Sequence, residues 1–110
     1  MKTNTIHIGG RKSICPDEVM LLEANENYTV LYLENGKKIL VATTLKTLEQ
    51  RFVDCRKFIR THKSHIVNIE FISDYQSDNN KIMMQNKKMI LISRRRKNAF
   101  RLKIDADKHL

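Results

Sequence analysis

Residues 60–68, which read Arg-Thr-His-Lys-Ser-His-Ile-Val-Asn, place many hydrogen-bond donors and acceptors directly before two apolar residues. The Ile-Val pair is of a type that is usually buried, so the polar side chains are expected at the edge of a core. His62, Lys63 and Ser64 suit phosphate oxygens or the edges of nucleic-acid bases. The segment therefore indicates a polar binding surface that is anchored by a buried strand.

The distribution of charge also indicates a polar binding surface. The formal net charge is +9, and residues 1–55 contribute none of it, with 7 Lys/Arg against 7 Asp/Glu. Residues 56–110 hold 14 Lys/Arg against 5 Asp/Glu, and the stretch from Lys81 to Lys103 has 9 basic residues and no acidic one. A neutral half joined to a basic half is typical of a scaffold with an electrostatic face, and it predicts a polyanionic partner. A merely solvated basic surface is the plainer alternative.

Two further polar segments have a similar setting. Asn25 and Asn27 lie in a predicted loop between two apolar strands, and residues 94–97, Arg-Arg-Arg-Lys, follow the last predicted strand. Lys and Arg match O6 and N7 of guanine, and Asn matches N6 and N7 of adenine, whereas Ser, His and further cations suit phosphates. Each segment alone is weak evidence, since asparagine-rich loops are often plain turns. Because all three lie in loops or at a helix start, the combination favours nucleic-acid binding.

Metal and catalytic sites are disfavoured. His62 and His65 could join Cys55 and Cys15 around zinc, but neither cysteine has a close partner in sequence, and alternation along an extended segment would point the two histidines to different faces. Cys55 with His62 lacks an oxyanion loop, and the 3 glycines form no phosphate-binding loop. We therefore expect no metal, no cofactor, no small-molecule substrate and no enzymatic activity.

The length of 110 residues predicts a single domain over 1–110. Two cysteines are too few for a disulfide framework, and no signal peptide or membrane-length apolar run is evident. The basic run also lacks the wide apolar stripe of a membrane-surface helix. These features predict a cytoplasmic protein that is not bound to a membrane.

Short alternating segments and turn signals predict a mainly β fold. Asn35-Gly36 is the strongest hairpin signal. Thr43 or Thr44 is expected to cap a middle helix, and Ser93 a short final helix that opens with the basic run and buries Phe100 and Ile104. The apolar face of the middle helix is predicted to comprise Leu45, Leu48, Phe52 and Val53.

At this point the chain resembles the LytTR family of bacterial DNA-binding domains. The resemblance rests on Leu22-Glu23-Ala24 before the polar loop and Tyr28, and on Thr44-Leu45 at the start of the middle helix. It continues with a motif of six spaced residues, and it closes with Ser93-Arg94-Arg95 after the last strand. The residues of the motif are Phe58, Arg60, His62, Ser64, Val67 and Asn68. The match covers about residues 6–104, and the His-x-Ser-x-x-Val-Asn element is its most specific part.

The resemblance implies an elongated arrangement of small antiparallel sheets that reads double-stranded DNA through loops in successive major grooves. It implies a sequence-specific transcriptional regulator, with a homodimer on DNA as one arrangement. The base-reading loops would be Asn25–Tyr28, the Lys63 loop and the Arg95 region, and His62 and Ser64 would contact the DNA backbone. The full expected interface is Asn25, Asn27, Tyr28, His62, Lys63, Ser64, Arg94, Arg95, Arg96 and Lys97.

Two features depart from the family pattern. His65 stands where the family often has an aromatic residue, and no receiver domain precedes residue 1 of this sequence, so regulation by phosphorylation in cis is not expected. Two other functions stay open from the residues: a small RNA-binding β-module, which would need exposed aromatic residues for stacking, and a module that binds an acidic protein partner.

Overall fold

A computed structural model describes residues 4–108 of the chain, and these residues form ten β-strands and two α-helices. The helices are α1 (Leu45–Arg51) and α2 (Lys97–Lys108). The strands are β1 (Ile6–Gly9), β2 (Lys12–Ile14), β3 (Val19–Asn25), β4 (Tyr28–Leu33), β5 (Lys38–Val41), β6 (Phe58–His62), β7 (His65–Asn68), β8 (Ile72–Gln76), β9 (Lys81–Met84) and β10 (Met89–Leu91).

The strands build three antiparallel sheets. The largest has five strands in the order β5-β4-β3-β7-β6, the second has three in the order β10-β9-β8, and β1 pairs with β2 alone. In the centre of the large sheet, Leu22 lies opposite Leu31 on one side and Ile66 on the other. The prediction of a mainly β fold with small antiparallel sheets and two helices is confirmed.

The five-stranded sheet is covered on both faces. One face packs Leu22 and Ile66 against Leu48 and Phe52 of the α1 segment and against the β1–β2 hairpin. The other face packs Leu21 and Val67 against the three-stranded sheet and Phe100 of α2. A strand buried on both faces needs a continuous apolar run rather than an alternating one, which explains Val-Met-Leu-Leu at residues 19–22. The Cα extents are 41 × 36 × 24 Å.

Helix α1 begins as expected, and its helical conformation ends before Val53. The Thr44 side chain accepts a hydrogen bond from the Thr47 amide at 3.2 Å, and Leu45, Leu48 and Phe52 are buried. Phe52 leaves the helical conformation, with φ −92° and ψ 7°, so the next residue no longer follows the helical period. The prediction that Val53 lies on the buried face is therefore wrong, and its side chain is 74% exposed.

The C-terminal helix also differs in its start. Residues 94–96 form a 3₁₀ turn, and α2 begins at Lys97 and runs for 12 residues, longer than α1. Ser93 occupies the capping position, but its side chain makes no capping hydrogen bond, so that part of the prediction is wrong. Phe100 is buried as predicted, and Ile104 packs against the same core. Within residues 4–108 no helix combines the length and apolar character needed to cross a membrane.

Two hairpin tips have the same hydrogen-bonding pattern. In the tip between β4 and β5, residues 33–37, the Leu33 amide donates to the Lys37 carbonyl and the Gly36 amide donates back to the Leu33 carbonyl. In the tip between β9 and β10, residues 84–88, equivalent bonds join positions 84, 87 and 88. The fourth position is left-handed in both, with φ 89° at Gly36 and φ 76° at Lys87. A lysine in this region costs roughly 1 kcal/mol relative to glycine, because its Cβ crowds the backbone.

Candidate nucleic-acid interface

Two of the three predicted loops lie at one end of the five-stranded sheet. Asn25 pairs with Tyr28 across the β3–β4 turn, and His62 pairs with His65 across the β6–β7 turn. Since β7 pairs with β3, the Ala24 amide donates to the Ser64 carbonyl at 2.8 Å. The two turns are therefore neighbours, and we call this end of the sheet the loop end.

The basic segment reaches the loop end through the edge strand β6. The Ser93 amide donates to the Thr61 carbonyl at 2.8 Å, which fixes the start of residues 94–97 beside the β6–β7 turn. The structure thus brings together the three segments that are 30 or more residues apart in sequence. Most of their side chains are exposed and the rest are partly exposed. Asn25, Asn27, Tyr28, Lys63, Arg94 and Arg95 are exposed, whereas His62, Ser64, Arg96 and Lys97 are partly buried.

Arg60 braces the β6–β7 turn from beneath. Its Nε donates to the His62 carbonyl at 2.8 Å, and one terminal nitrogen donates to the Lys63 carbonyl at 2.7 Å. The other terminal nitrogen forms an ion pair with Glu49 of α1 at 2.6 Å. A planar guanidinium can satisfy three acceptors at once, which a lysine ammonium on a flexible stem does poorly. Arg60 therefore fixes the backbone that carries Lys63, although the sequence analysis did not place it among the interface residues.

His62 is held as a neutral ring with a defined tautomer. The Ser64 amide donates to its Nδ1 at 3.1 Å, so Nδ1 is unprotonated and Nε2 carries the hydrogen. Burial lowers the pKa of His62, and His65, Lys63 and the neighbouring arginines lower it further. The expectation that His62 and His65 point to different faces is wrong, because a turn separates them and their ring centroids are 6.1 Å apart. A neutral Nε2–H can donate a hydrogen bond to a phosphate oxygen.

The residue at position 65 joins a polar cluster instead of an aromatic one. His65 Nε2 lies 2.9 Å from one carboxylate oxygen of Glu23, and the Tyr32 hydroxyl donates to the other at 2.7 Å. Lys88 approaches Glu23 at 3.7 Å. Burial raises the pKa of Glu23, but these hydrogen bonds and the charge of Lys88 outweigh it, so the net pKa is lowered. Burial and the Glu23 contact raise the pKa of Tyr32 to about 12. The cluster ties β3, β4 and β7 to the β9–β10 tip just behind the loop end.

The cations at the loop end are crowded. Burial lowers the pKa of Arg96, and the charges of Arg95 and Arg60 lower it further, while Glu49 opposes the shift. Mutual repulsion of this kind is relieved when an anion binds between the cations. The electrostatics therefore favour a phosphate-bearing ligand over a neutral one.

The described part of the chain offers no metal centre. No group of three or more His, Cys, Asp or Glu side chains within it could hold an ion. Cys15 and Cys55 are both free thiols that line one cleft of about 400 Å³ beside Asp17 and Asp54. Burial raises the pKa of Cys55, and the two aspartates raise it further, which disfavours the reactive thiolate.

Val67 and Asn68, which end the most specific motif, have structural positions. Val67 is fully buried, and the buried Asn68 amide donates to the Val19 carbonyl at 3.0 Å. Its Oδ1 accepts from the Glu70 amide at 3.0 Å and so caps a 3₁₀ turn. Sequence reasoning missed Arg60, Glu49, Glu23 and Lys88 as supports. The spacing of Arg60 two residues before His62 was the one sequence signal that could have indicated its role. The contacts of Glu49, Glu23 and Lys88 depend on residues that are distant in sequence.

The fold and the loop end define a small, mainly β domain with cations and amides exposed at one end of its largest sheet. The family model described as the LytTr DNA-binding domain matches residues 10–105. One similar solved structure is described as the LytTr DNA-binding domain of a methyl-accepting/DNA response regulator from Bacillus cereus. It is 22% identical, with a TM-score of 0.73 over 94% of this chain and 97% of that chain, a likeness of fold. No curated protein matches.

The family match extends over most of the chain, so the chain belongs to the LytTR family. It is accordingly a DNA-binding domain of the kind found in transcription regulators.

Proposed function

We propose that this domain, over residues 1–110, is a cytoplasmic transcriptional regulator that recognises a specific double-stranded DNA sequence. The three loops at the loop end enter the major groove. Asn25 and Asn27 read adenine, and Lys63 and Arg95 read guanine, in accord with the donor and acceptor patterns of those bases. His62 and Ser64 donate to phosphates, and Tyr28, Arg94, Arg96 and Lys97 complete the contact surface.

The observation that carries this proposal is the convergence of the three loops at one end of a rigid sheet. The β3–β4 and β6–β7 tips are two-stranded ribbons, and the major groove, about 12 Å wide, admits a ribbon of that kind. Arg60 and the Glu23 cluster hold the tips before DNA arrives. A tip whose backbone is already fixed loses less conformational entropy on binding, which favours selectivity between base pairs.

An RNA-binding module receives less support. Single-strand binding relies on exposed aromatic rings on which bases stack. Tyr32 is bonded to Glu23 and Tyr75 packs edge-on against Phe100 with ring centroids 5.1 Å apart. Tyr28, 48% exposed, is the one tyrosine in the described residues with a largely open ring. A single ring does not make a stacking platform.

The experiment is selection of bound sequences from a random duplex pool, followed by fluorescence anisotropy with the selected duplex and a scrambled one. We expect Arg95→Ala to weaken binding to the selected duplex by about 1–3 kcal/mol, and to affect the scrambled duplex much less. Arg56→Ala is the matched control, because Arg56 is exposed at the opposite end of β6. Equal losses on both duplexes would reduce Arg95 to a phosphate contact. An absence of duplex binding at low salt would overturn the proposal in favour of an acidic protein partner, and a strong preference for single-stranded RNA in competition would overturn it in favour of RNA.

A further inference from the structure

A second basic surface lies outside the loops and begins close behind the loop end. A cleft of about 490 Å³ separates the two matching hairpin tips at residues 33–37 and 84–88. Its floor is formed by Met20 and Tyr32, and its rim includes Lys37, Lys38 and Lys88. Glu34 is the acidic residue that also lines it.

The two sides of this cleft meet at one aromatic ring. The ammonium of Lys38 lies 5.4 Å from the centroid of the Tyr32 ring, and that of Lys88 lies 4.9 Å from it. Cation–π contact orders both lysine stems while leaving their remaining donors to water or a ligand. The Tyr32 hydroxyl is bonded to Glu23, so the ring is itself fixed. The ring therefore favours positions of both ammonium groups beside the cleft.

The two carboxylates beside the cleft, Glu34 and Glu23, do not balance its lysines. Glu23 already accepts hydrogen bonds from Tyr32 and His65, and its contact with Lys88 is the longer one at 3.7 Å. Lys37 forms no ion pair among the described residues, and the neighbouring Lys87 is exposed. The cleft thus carries a surplus of positive charge.

The cleft begins beside Glu23, near the loop end, and extends toward the opposite end of the five-stranded sheet, where the β4–β5 tip lies. Glu23, which contacts Lys88, lies two residues before Asn25 and opposite His65, which directly follows the Lys63–Ser64 turn. From there the lysines follow β4 and the edge strand β5 away from the loop end, as Lys38 pairs with Tyr32. A polyanion seated on the loops would meet this row next.

We propose that Lys37, Lys38 and Lys88 form a second phosphate-binding surface that holds the DNA backbone flanking the sequence recognised by the loops. This inference rests on the proposed function and names a further part of the same DNA footprint. The contact is made to phosphates and carries no sequence information directly. It extends the footprint along the duplex and increases the number of counterions released on binding.

The test compares two duplexes that share the selected sequence, one limited to the bases that the loops protect and one extended by about ten base pairs, or one helical turn, on each side. Binding of the intact chain is measured by anisotropy as a function of salt. The variant is Lys37→Ala/Lys38→Ala, and the control is Arg56→Ala, which removes a cation exposed at the end of β6 opposite to the loop end. Lys88 is left unchanged because it contacts Glu23.

We expect the variant to make the negative slope of log K against log salt shallower, by about one per lysine, on the extended duplex. On the short duplex its slope should equal that of the intact chain. The inference is overturned if the lysine variant has the wild-type slope on the extended duplex, or if the control variant changes the slope equally. The cleft would then be assigned to an acidic protein partner. If the intact chain binds no duplex, the proposed function itself fails, so the two failures are distinguishable. Urea unfolding of each variant confirms that it is folded.

Discussion

The bracing of the β6–β7 turn by Arg60 makes the sharpest prediction about how this domain presents Lys63. The Arg60 side chain is 14% exposed and donates to the carbonyls of His62 and Lys63 as well as to Glu49. We consider Arg60→Lys, which keeps the charge but cannot reach the three acceptors together, and Glu49→Gln, which leaves the two carbonyl bonds intact. These variants separate the brace from the ion pair.

The structure sets the expected magnitude. A hydrogen bond from a charged donor contributes about 1.5–3 kcal/mol, and the lower figure applies here because the carbonyls of an exposed turn can bond water instead. Glu49 is 44% exposed, so its ion pair with Arg60 contributes about 1 kcal/mol or less after solvent screening. We expect Arg60→Lys to lower the free energy of unfolding by about 1–3 kcal/mol, and Glu49→Gln by at most about 1 kcal/mol.

Arg60→Lys should weaken binding to the selected duplex more than binding to a scrambled duplex. Once the carbonyl bonds are gone, the turn that carries Lys63 samples several conformations, and binding must restore one of them. We expect roughly tenfold weaker binding of Arg60→Lys to the selected duplex, equivalent to about 1.4 kcal/mol, with little change on a scrambled duplex. Urea unfolding and anisotropy measure the two effects. Wild-type stability together with wild-type affinity in Arg60→Lys would refute the brace.

Three further predictions concern stability. Because the pKa of His62 is lowered in the folded state, the unfolded chain binds more protons below about pH 6.5, and the stability should fall with acidification through that range. His62→Asn retains an acceptor for the Ser64 amide but does not titrate there, so its urea unfolding should depend less on pH. A pH dependence identical to that of the unmodified chain would contradict the assignment. Lys87→Gly should raise the midpoint of thermal unfolding and increase the free energy of unfolding by up to about 1 kcal/mol, since it removes a lysine from a left-handed backbone conformation. A lower midpoint would show that the strain is absent. Asn68→Ala should destabilise by about 2–3 kcal/mol in urea unfolding, because it leaves the buried Val19 carbonyl without its donor; a change below about 0.5 kcal/mol would mean that the site rehydrates.

Local signals in the sequence predicted most of the elements. The Asn35-Gly36 turn and the Thr44 cap each gave the expected structure. Where a prediction failed, a local change in backbone conformation interrupted the expected helix. Val53 is exposed because Phe52 ends the helical conformation, and Ser93 does not cap because a 3₁₀ turn intervenes before α2. Such events depend on contacts that neighbouring sequence does not encode.

The sequence by itself determined which segments are polar, which are buried and where the basic charge lies, since side-chain chemistry and its spacing are local properties. Only the tertiary structure decided that the three loops meet at one end, because this follows from the pairing of β7 with β3 and of Ser93 with Thr61 across the edge strand. The brace by Arg60, the ring shared by Lys38 and Lys88, and the proximity of the two histidines arise in the same way. Strand register is fixed by how whole faces bury their apolar side chains, and that is a property of the assembled sheets rather than of any one segment.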